Sequence, residues 1–226
     1  MTCKTIKALA EMVLLVLCLC SPVGAVASTV TGMYWKSNAE FFHVNEAIGF
    51  ANNNADSPTA TFTSSGIDYP NGKKTLTSSS TLTDFLGVDA ATIKGDGSSQ
   101  LATSVFYFTG MLNLFGSKTL KVGSDDGFVL ALDGTNVMWQ ATNRAFGYTS
   151  TSYDFTGQTR FSLLYYENKG NTGVEFSIDD WIVGRDPQPS KVPIPAALPA
   201  LATGLAGLIL LNLRARRTAA RRRVDA

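Results

Sequence analysis

The chain of 226 residues is 45% hydrophobic and 16% charged, with a formal net charge of +1, a length that suits one domain of ordinary size. The near-neutral total hides a division, because residues 28–190 hold 10 Lys and Arg against 16 Asp and Glu, net −6, whereas residues 191–226 hold 7 basic residues and one acid, net +6. An acidic body of this kind excludes a broad basic surface for nucleic acid.

The N-terminus reads as a secretory leader. Lys4 and Lys7 precede an apolar run over 8–20, and the small-residue tract that follows ends in Ala25-Val26-Ala27. Signal peptidase is expected to cut after Ala27, leaving residues 1–27 behind. About 13 apolar residues are too few for a retained span, which needs about 20. Cys3, Cys18 and Cys20 all fall in this leader, so the remainder has no disulfide and no cysteine metal site.

Residues 28–186 form the predicted domain. Its first half is polar, with sparse apolar anchors at Phe62, Tyr69, Leu82, Phe85 and Leu86 and room for one short helix over 82–86. No segment shows a sustained 3.6-residue apolar period. Later segments alternate with period two: Val105 and Tyr107; Phe128, Leu130 and Leu132; Phe161, Leu163 and Tyr165; Val174, Phe176 and Ile178. Turn signals separate them, namely Asn-Gly at 71–72, Asp-Gly at 96–97, 126–127 and 133–134, and "NKGNTG" at 168–173. Many short half-buried strands at this spacing predict an all-β fold, an antiparallel β-sandwich.

"VGSDDGFVLALDGT", residues 122–135, sets two carboxylates side by side. Either the segment is a hairpin with polar turns, for which Asp and Gly have the right backbone preferences, or a positive ion offsets the repulsion. Asp133-Gly134 reads as a turn; for Asp125-Asp126 both readings stay open.

"TSVFYFTGMLNL", "KTLKVGSDDGFVLALDGTNVM" and "FSLLYYENKGNTGVEFSID" together resemble the core of the protective-antigen lectin-like module, also found in yeast flocculins and inserted into bacterial β-glucosidases. The family's F-x-G strand, SDDG loop, IDG turn and YYE hairpin occur in order over about residues 104–180, with Leu132 in place of the usual Ile, while "TGMYWKSN" at 31–38 matches the entry strand more weakly. The resemblance implies that Asp125 and Asp126 are joined by a cis peptide bond and chelate Ca2+. It also implies that a facing loop adds an amide oxygen, from Asn168 or else Asn171, and that open coordination positions take two sugar hydroxyls. Calcium suits such a site because it accepts six to eight oxygen ligands in irregular geometry. Trp139 and Tyr148 either stack on a sugar or pack, and Arg144 either hydrogen-bonds the ligand or is solvated.

The C-terminus reads as an address. A Pro-rich linker and motif over 187–195 leads into an apolar run over 194–213, long enough at about 1.5 Å per residue to cross the hydrocarbon core. The transmembrane helix is placed at 196–213 and a basic cytoplasmic tail at 214–226, carrying Arg214, Arg216, Arg217, Arg221, Arg222 and Arg223. An ordinary single-span anchor has the same composition. The order of parts, with Val192, Pro193, Ile194, Pro195 and Ala196 as the motif, resembles the PEP-CTERM signals of the VPLPA type. That resemblance implies an exosortase partner, passage through the inner membrane of a Gram-negative bacterium, and delivery to the cell surface or extracellular matrix.

Nothing points to an enzyme. Nucleophilic catalysis needs a positioned base, and the sole histidine, His43, sits in the apolar-polar mix "EFFHVNEA". Glu167, Glu175, Asp179 and Asp180 qualify for glycoside hydrolysis only as acids. The expected function is therefore a surface-sorted protein with a calcium-assisted carbohydrate-binding β-sandwich. A ligand-free structural protein of the envelope or matrix is the alternative, and a glycan hydrolase the third reading.

Overall fold

The structure is a computed structural model that describes residues 29–70 and 75–185. The leader, the turn at 71–72, the sorting motif, the C-terminal helix and the arginine tail lie outside the described residues. Among the described residues no helix is long and apolar enough to cross a membrane.

The chain is mostly antiparallel β-sheet. Its elements are β1 (Val30–Lys36), α1 (Val44–Asn53), β2 (Ala60–Ser64), β3 (Asp68–Tyr69), β4 (Leu76–Thr77), α2 (Leu82–Leu86), β5 (Lys94–Gly95), β6 (Ser104–Asp125), β7 (Phe128–Leu132), β8 (Thr135–Gln140), β9 (Gly147–Glu167), β10 (Asn171–Ile178) and β11 (Trp181–Ile182). One layer runs β5-β2-β1-β6-β9-β7-β8. β10 pairs with the far end of β6, Gly173 opposite Asp125 through Ile178 opposite Leu120, and carries β3, β4 and β11.

β6 and β9 form one long ribbon that serves both layers. Their ladder runs from Ser104 opposite Glu167 to Ser124 opposite Gly147. Near its middle lie Gly116 and Gly157 at φ +76° and +141°, backbone that other residues adopt with difficulty. Two residues past Ser124, the Asp126 N–H donates to the carbonyl of Tyr166, and the Tyr166 N–H to that of Gly127. The far end of β6 thus returns to the far end of β9, and this closure builds the site described below.

Strand alternation sorts the apolar residues to two faces. Phe106, Phe108, Phe128, Leu130, Phe161, Leu163 and Tyr165 fill the core between the layers, joined there by Leu82, Phe85 and Leu86 of α2. Trp35, Val105, Val129, Leu164 and Tyr166 face the other way and are covered by Phe41 and by Val44, Ala47 and Ala51 of α1. The predicted anchors Phe62, Tyr69, Leu82, Phe85 and Leu86 are all buried. α2 occupies the predicted residues behind a capping box, with the Thr81 N–H donating to Asp84 Oδ2 and the Asp84 N–H to Thr81 Oγ1.

α1 is a helix in a segment where the sequence shows no sustained 3.6-residue apolar period. Its buried stripe is one Val and two Ala at 44, 47 and 51, too weakly apolar to register as a helical period. His43 is its N-cap, with Nδ1 accepting from the Asn45 N–H at 3.1 Å. Asp133-Gly134 is the turn expected of it. Both residues have positive φ, and the Asp133 carboxylate accepts from the Arg160 N–H at 2.8 Å.

Candidate cation and sugar site

Asp125 closes β6, and a cis peptide bond joins it to Asp126. Gly127 follows because nothing larger fits: a Cβ there would stand 2.4 Å from the Tyr166 ring and 2.8 Å from the Gln140 carbonyl. The segment is pinned from below. Ser124, fully buried, donates through Oγ to the Asp126 carbonyl at 2.6 Å, and the Tyr165 hydroxyl donates to the Asp125 carbonyl.

Both aspartates are only 6% exposed. Three backbone N–H groups aim at their carboxylates: Phe146 at Asp125 Oδ2 (3.1 Å), Arg144 at Asp126 Oδ1 (3.2 Å) and Asn168 at Asp126 Oδ2 (3.1 Å). These donors lower the carboxyl pKa values without overcoming burial. Burial, and after it the Asp126 charge, pushes the Asp125 carboxyl up to about 6. Burial raises Asp126 as well.

A third acid lies behind them. Glu167 continues the inward-facing series Phe161, Leu163, Tyr165 and is fully buried. Burial first, then the charge of Asp126, pushes its carboxyl up to about 9. Its Oε2 lies 3.1 Å from the Tyr165 hydroxyl oxygen, whose proton goes to the Asp125 carbonyl, while Oε1 is buried without a partner.

The nearest described cation is Arg144, half-buried and wrapped around its own loop. Nε donates to the Ser124 carbonyl (3.2 Å), Nη2 to Ser124 Oγ (2.9 Å) and the Gly147 carbonyl (2.7 Å), and Nη1 to Thr149 Oγ1 (2.9 Å). Its charge lowers the Asp125 carboxyl only as the smallest of four influences. Three carboxyl groups therefore share a buried corner with one guanidinium.

The donor set fits a hard cation. It offers two carboxylates and the neighbouring amide and backbone oxygens, all oxygen. Among the described residues no group of three or more His, Cys, Asp or Glu is arranged to hold a metal. A cation at this pair would therefore complete its shell with amide, carbonyl and water oxygens, as calcium does and zinc does not.

Asn168 is brought to the pair through its own N–H, and its side chain grips the next wall: Oδ1 accepts from the Phe41 N–H at 2.8 Å and Nδ2 donates to the Phe41 carbonyl at 2.5 Å. Asn171 opens β10 opposite Thr77, exposed, with no described bond to either aspartate. Tyr148, 44% exposed, packs edge-on against Phe146 and donates to Glu175 Oε2 at 2.9 Å, with Lys121 over its ring. Trp139 is 58% exposed on β8, opposite Val129 and two residues before Ala141, whose carbonyl accepts from the Val44 N–H.

Sequence reasoning missed three contributors. Glu167 carried a signal, an acid at a core-facing position of an apolar strand. Phe146 and the segment 37–43 carried none, because only the folded chain brings them beside Asp125 and Asn168. A separate cavity of about 450 Å3 between α1 and the sheet, lined by Trp35, Ile48, Tyr107, Val129 and Leu164 among others, has no acidic residue in its wall.

No protein-family model matches the chain. No curated protein matches its sequence. Solved structures do match in fold. The PA14 domain of the MpAFP antifreeze protein superposes with a TM-score of 0.59 at 21% identity, over 72% of this chain and 90% of that one. The PA14 sugar-binding domain from an RTX adhesin superposes at 0.56 and 18% identity, over 68% and 91%. The described domain therefore has the fold of PA14 domains.

Proposed function

We propose that this chain is an exported surface or matrix protein whose β-sandwich binds carbohydrate through a calcium ion held at Asp125 and Asp126. The observation that carries this reading is the pair of adjacent carboxylates, each 6% exposed and both raised in pKa by burial, with the single Arg144 guanidinium beside them. Burying like charges is unfavourable unless something positive joins them. The likeness to a structure described as a sugar-binding domain supports the ligand class.

Asp125 and Asp126 would supply carboxylate oxygens and Asn168 an amide or carbonyl oxygen, while Asn171 stands farther along the same loop. The bound ion contributes a Lewis-acidic centre with exchangeable positions for vicinal sugar hydroxyls. Arg144 serves the site by fixing Ser124 and the 144–149 loop, which presents two of the three N–H donors. Trp139 and Tyr148 are exposed aromatics available for stacking. No catalytic role is assigned to any residue.

Delivery follows from the two ends. Signal peptidase removes residues 1–27 after Ala27. The motif Val192 to Ala196, the helix at 196–213 and the arginine tail bring the chain to an exosortase-type enzyme at the inner membrane of a Gram-negative bacterium, and from there to the cell surface or matrix. The acidic domain has no nucleic-acid partner in this reading.

One observation favours a second reading. The aspartates already accept three backbone hydrogen bonds that tie the 144–146 and 168 loops together, which serves a structural envelope protein with no ligand. Calorimetric titration of the detergent-purified protein with calcium separates the two. Saturable heat that disappears in Asp125→Ala and Asp126→Ala supports the lectin reading, and its absence at millimolar calcium leaves the structural one.

A further inference from the structure

We infer that Phe42 is a specificity-determining residue of this site, an aromatic platform for the apolar face of a pyranose whose hydroxyls reach the ion at Asp125 and Asp126. The inference rests on the reading above and goes beyond it by naming the residue and the sugar feature it selects.

Phe42 is 66% exposed, a poor use of a large apolar side chain unless something covers it. Its backbone is fixed on every side. Phe41, 4% exposed, packs against Phe50 and Tyr166 at ring-centroid distances of 5.5 and 5.9 Å. The Asn168 amide holds both polar groups of Phe41. The Phe42 N–H donates to Glu46 Oε2 at 2.7 Å, His43 caps α1, and the Val44 N–H donates to the Ala141 carbonyl at 2.8 Å. A Glu40–Lys169 ion pair ties the same two loops once more. Among the described residues no ring stacks on Phe42.

The location gives this exposure a meaning. Asn168, which grips Phe41, donates its own N–H to Asp126 Oδ2, so a single residue links the Phe42 segment to the carboxylate pair. On the Asp125 side stand Phe146 and Tyr148. The Phe42 segment and the 144–148 loop therefore stand on either side of the carboxylate pair, each with an aromatic side chain that is not buried. A pyranose matches this arrangement, because its edge carries hydroxyls and one face carries polarised C–H groups that sit well on the negative face of an aromatic ring. Rigid presentation matters here, since a platform already fixed loses little conformational freedom when it binds.

The test uses the detergent-purified full chain in saturating calcium, titrated with methyl α-D-glucopyranoside, methyl α-D-mannopyranoside and methyl β-D-galactopyranoside. For the tightest of the three, Phe42→Ala is expected to weaken binding about tenfold, the equivalent of a stacking contact, and Phe42→Trp to retain it. Upfield ring-current shifts of sugar C–H protons should appear with the parent chain and vanish in Phe42→Ala, while calcium affinity and melting temperature stay unchanged. An affinity in Phe42→Ala within twofold of the parent, unshifted sugar protons, or binding of none of the three glycosides overturns the inference and leaves calcium binding standing. Lack of calcium uptake by the parent chain removes the underlying reading and this inference together.

Discussion

The two regions of the β6–β9 ribbon make opposite use of polar residues. At the bend in the middle of the ribbon, marked by the positive-φ residues Gly116 and Gly157, Asn113, Phe115, Gly116, Ser117 and Thr119 stand exposed or half-exposed. At the closed end, Ser124, Asp125, Asp126, Glu167 and Asn168 are all buried, none more than 6% exposed. The same ladder, Ser104 opposite Glu167 through Ser124 opposite Gly147, supports both. Buried acids of this kind add little stability compared with well-packed apolar residues. Their concentration at one end marks the place where the fold gives up stability.

Removing a ring from the core that holds the ribbon should have the largest effect. Phe106 is fully buried and contacts the rings of Tyr34, Phe85, Phe108 and Tyr165. Phe106→Ala is expected to cost about 3–5 kcal/mol, whereas Phe115→Ala at the bend, 69% exposed, should stay within about 0.5 kcal/mol. Urea denaturation measures both. Similar losses in the two variants would mean that the bend is packed in solution.

The ion comes next. At one hundred times its dissociation constant, calcium should stabilise the folded chain by about 2.7 kcal/mol, roughly 5–10 °C in melting temperature for a chain of this size. Asp126→Asn should abolish that increment; in chelator its melting temperature should also fall, because the amide oxygen replaces only one of the two carboxylate oxygens and either the Arg144 or the Asn168 N–H loses its acceptor. Retention of the increment in Asp125→Asn and Asp126→Asn alike would move the ion elsewhere.

Without calcium, the closed end should be sensitive to pH in an unusual direction. A carboxyl raised in the folded state binds its proton more tightly there than in the unfolded chain, so its contribution is complete below the unfolded value near 4 and is lost as pH rises through the folded value. Asp125 sets this loss between about pH 4 and 6, and Glu167 extends it towards about 9. The exposed acids Asp84, Asp96 and Asp179 are held below the ordinary range by their hydrogen bonds and have titrated before this window opens. Melting temperature in chelator should therefore fall by several degrees from pH 5 to pH 9, and saturating calcium should reverse the trend. A flat or rising profile in chelator would show that these acids are not strained by burial.

Much of this contrast was legible in the residues themselves. Phe128, Leu130 and Leu132, and likewise Phe161, Leu163 and Tyr165, lie on the inner face that their alternation assigns them, because period two leaves only one way to bury such a strand. The "SDDG" and "YYEN" motifs located the loops that converge. What failed to register depends on partners distant in sequence. β6 runs unbroken for 22 residues, but its exposed middle has no apolar rhythm to announce a strand. α1 buries small side chains whose value appears only against Trp35 and Leu164, and Phe41 meets Asn168 across 127 positions of sequence.

The smallest expected effect isolates the bend from the site. Gly116 has φ +76° with nothing within 4 Å of an added Cβ, so Gly116→Ala introduces no clash and acts only through the backbone. The positive φ strains an L side chain, while the lost flexibility of the unfolded chain partly compensates. A net loss of about 1 kcal/mol follows, equivalent to roughly 2–4 °C, with calcium affinity unchanged because the closed end is held by its own bonds to Tyr165, Tyr166 and Asn168. Paired melting curves and calcium titrations of the Gly116→Ala chain test this independence. A weakened calcium affinity would show that the bend sets the geometry of the carboxylate pair through the ladder, and that the two regions work as one.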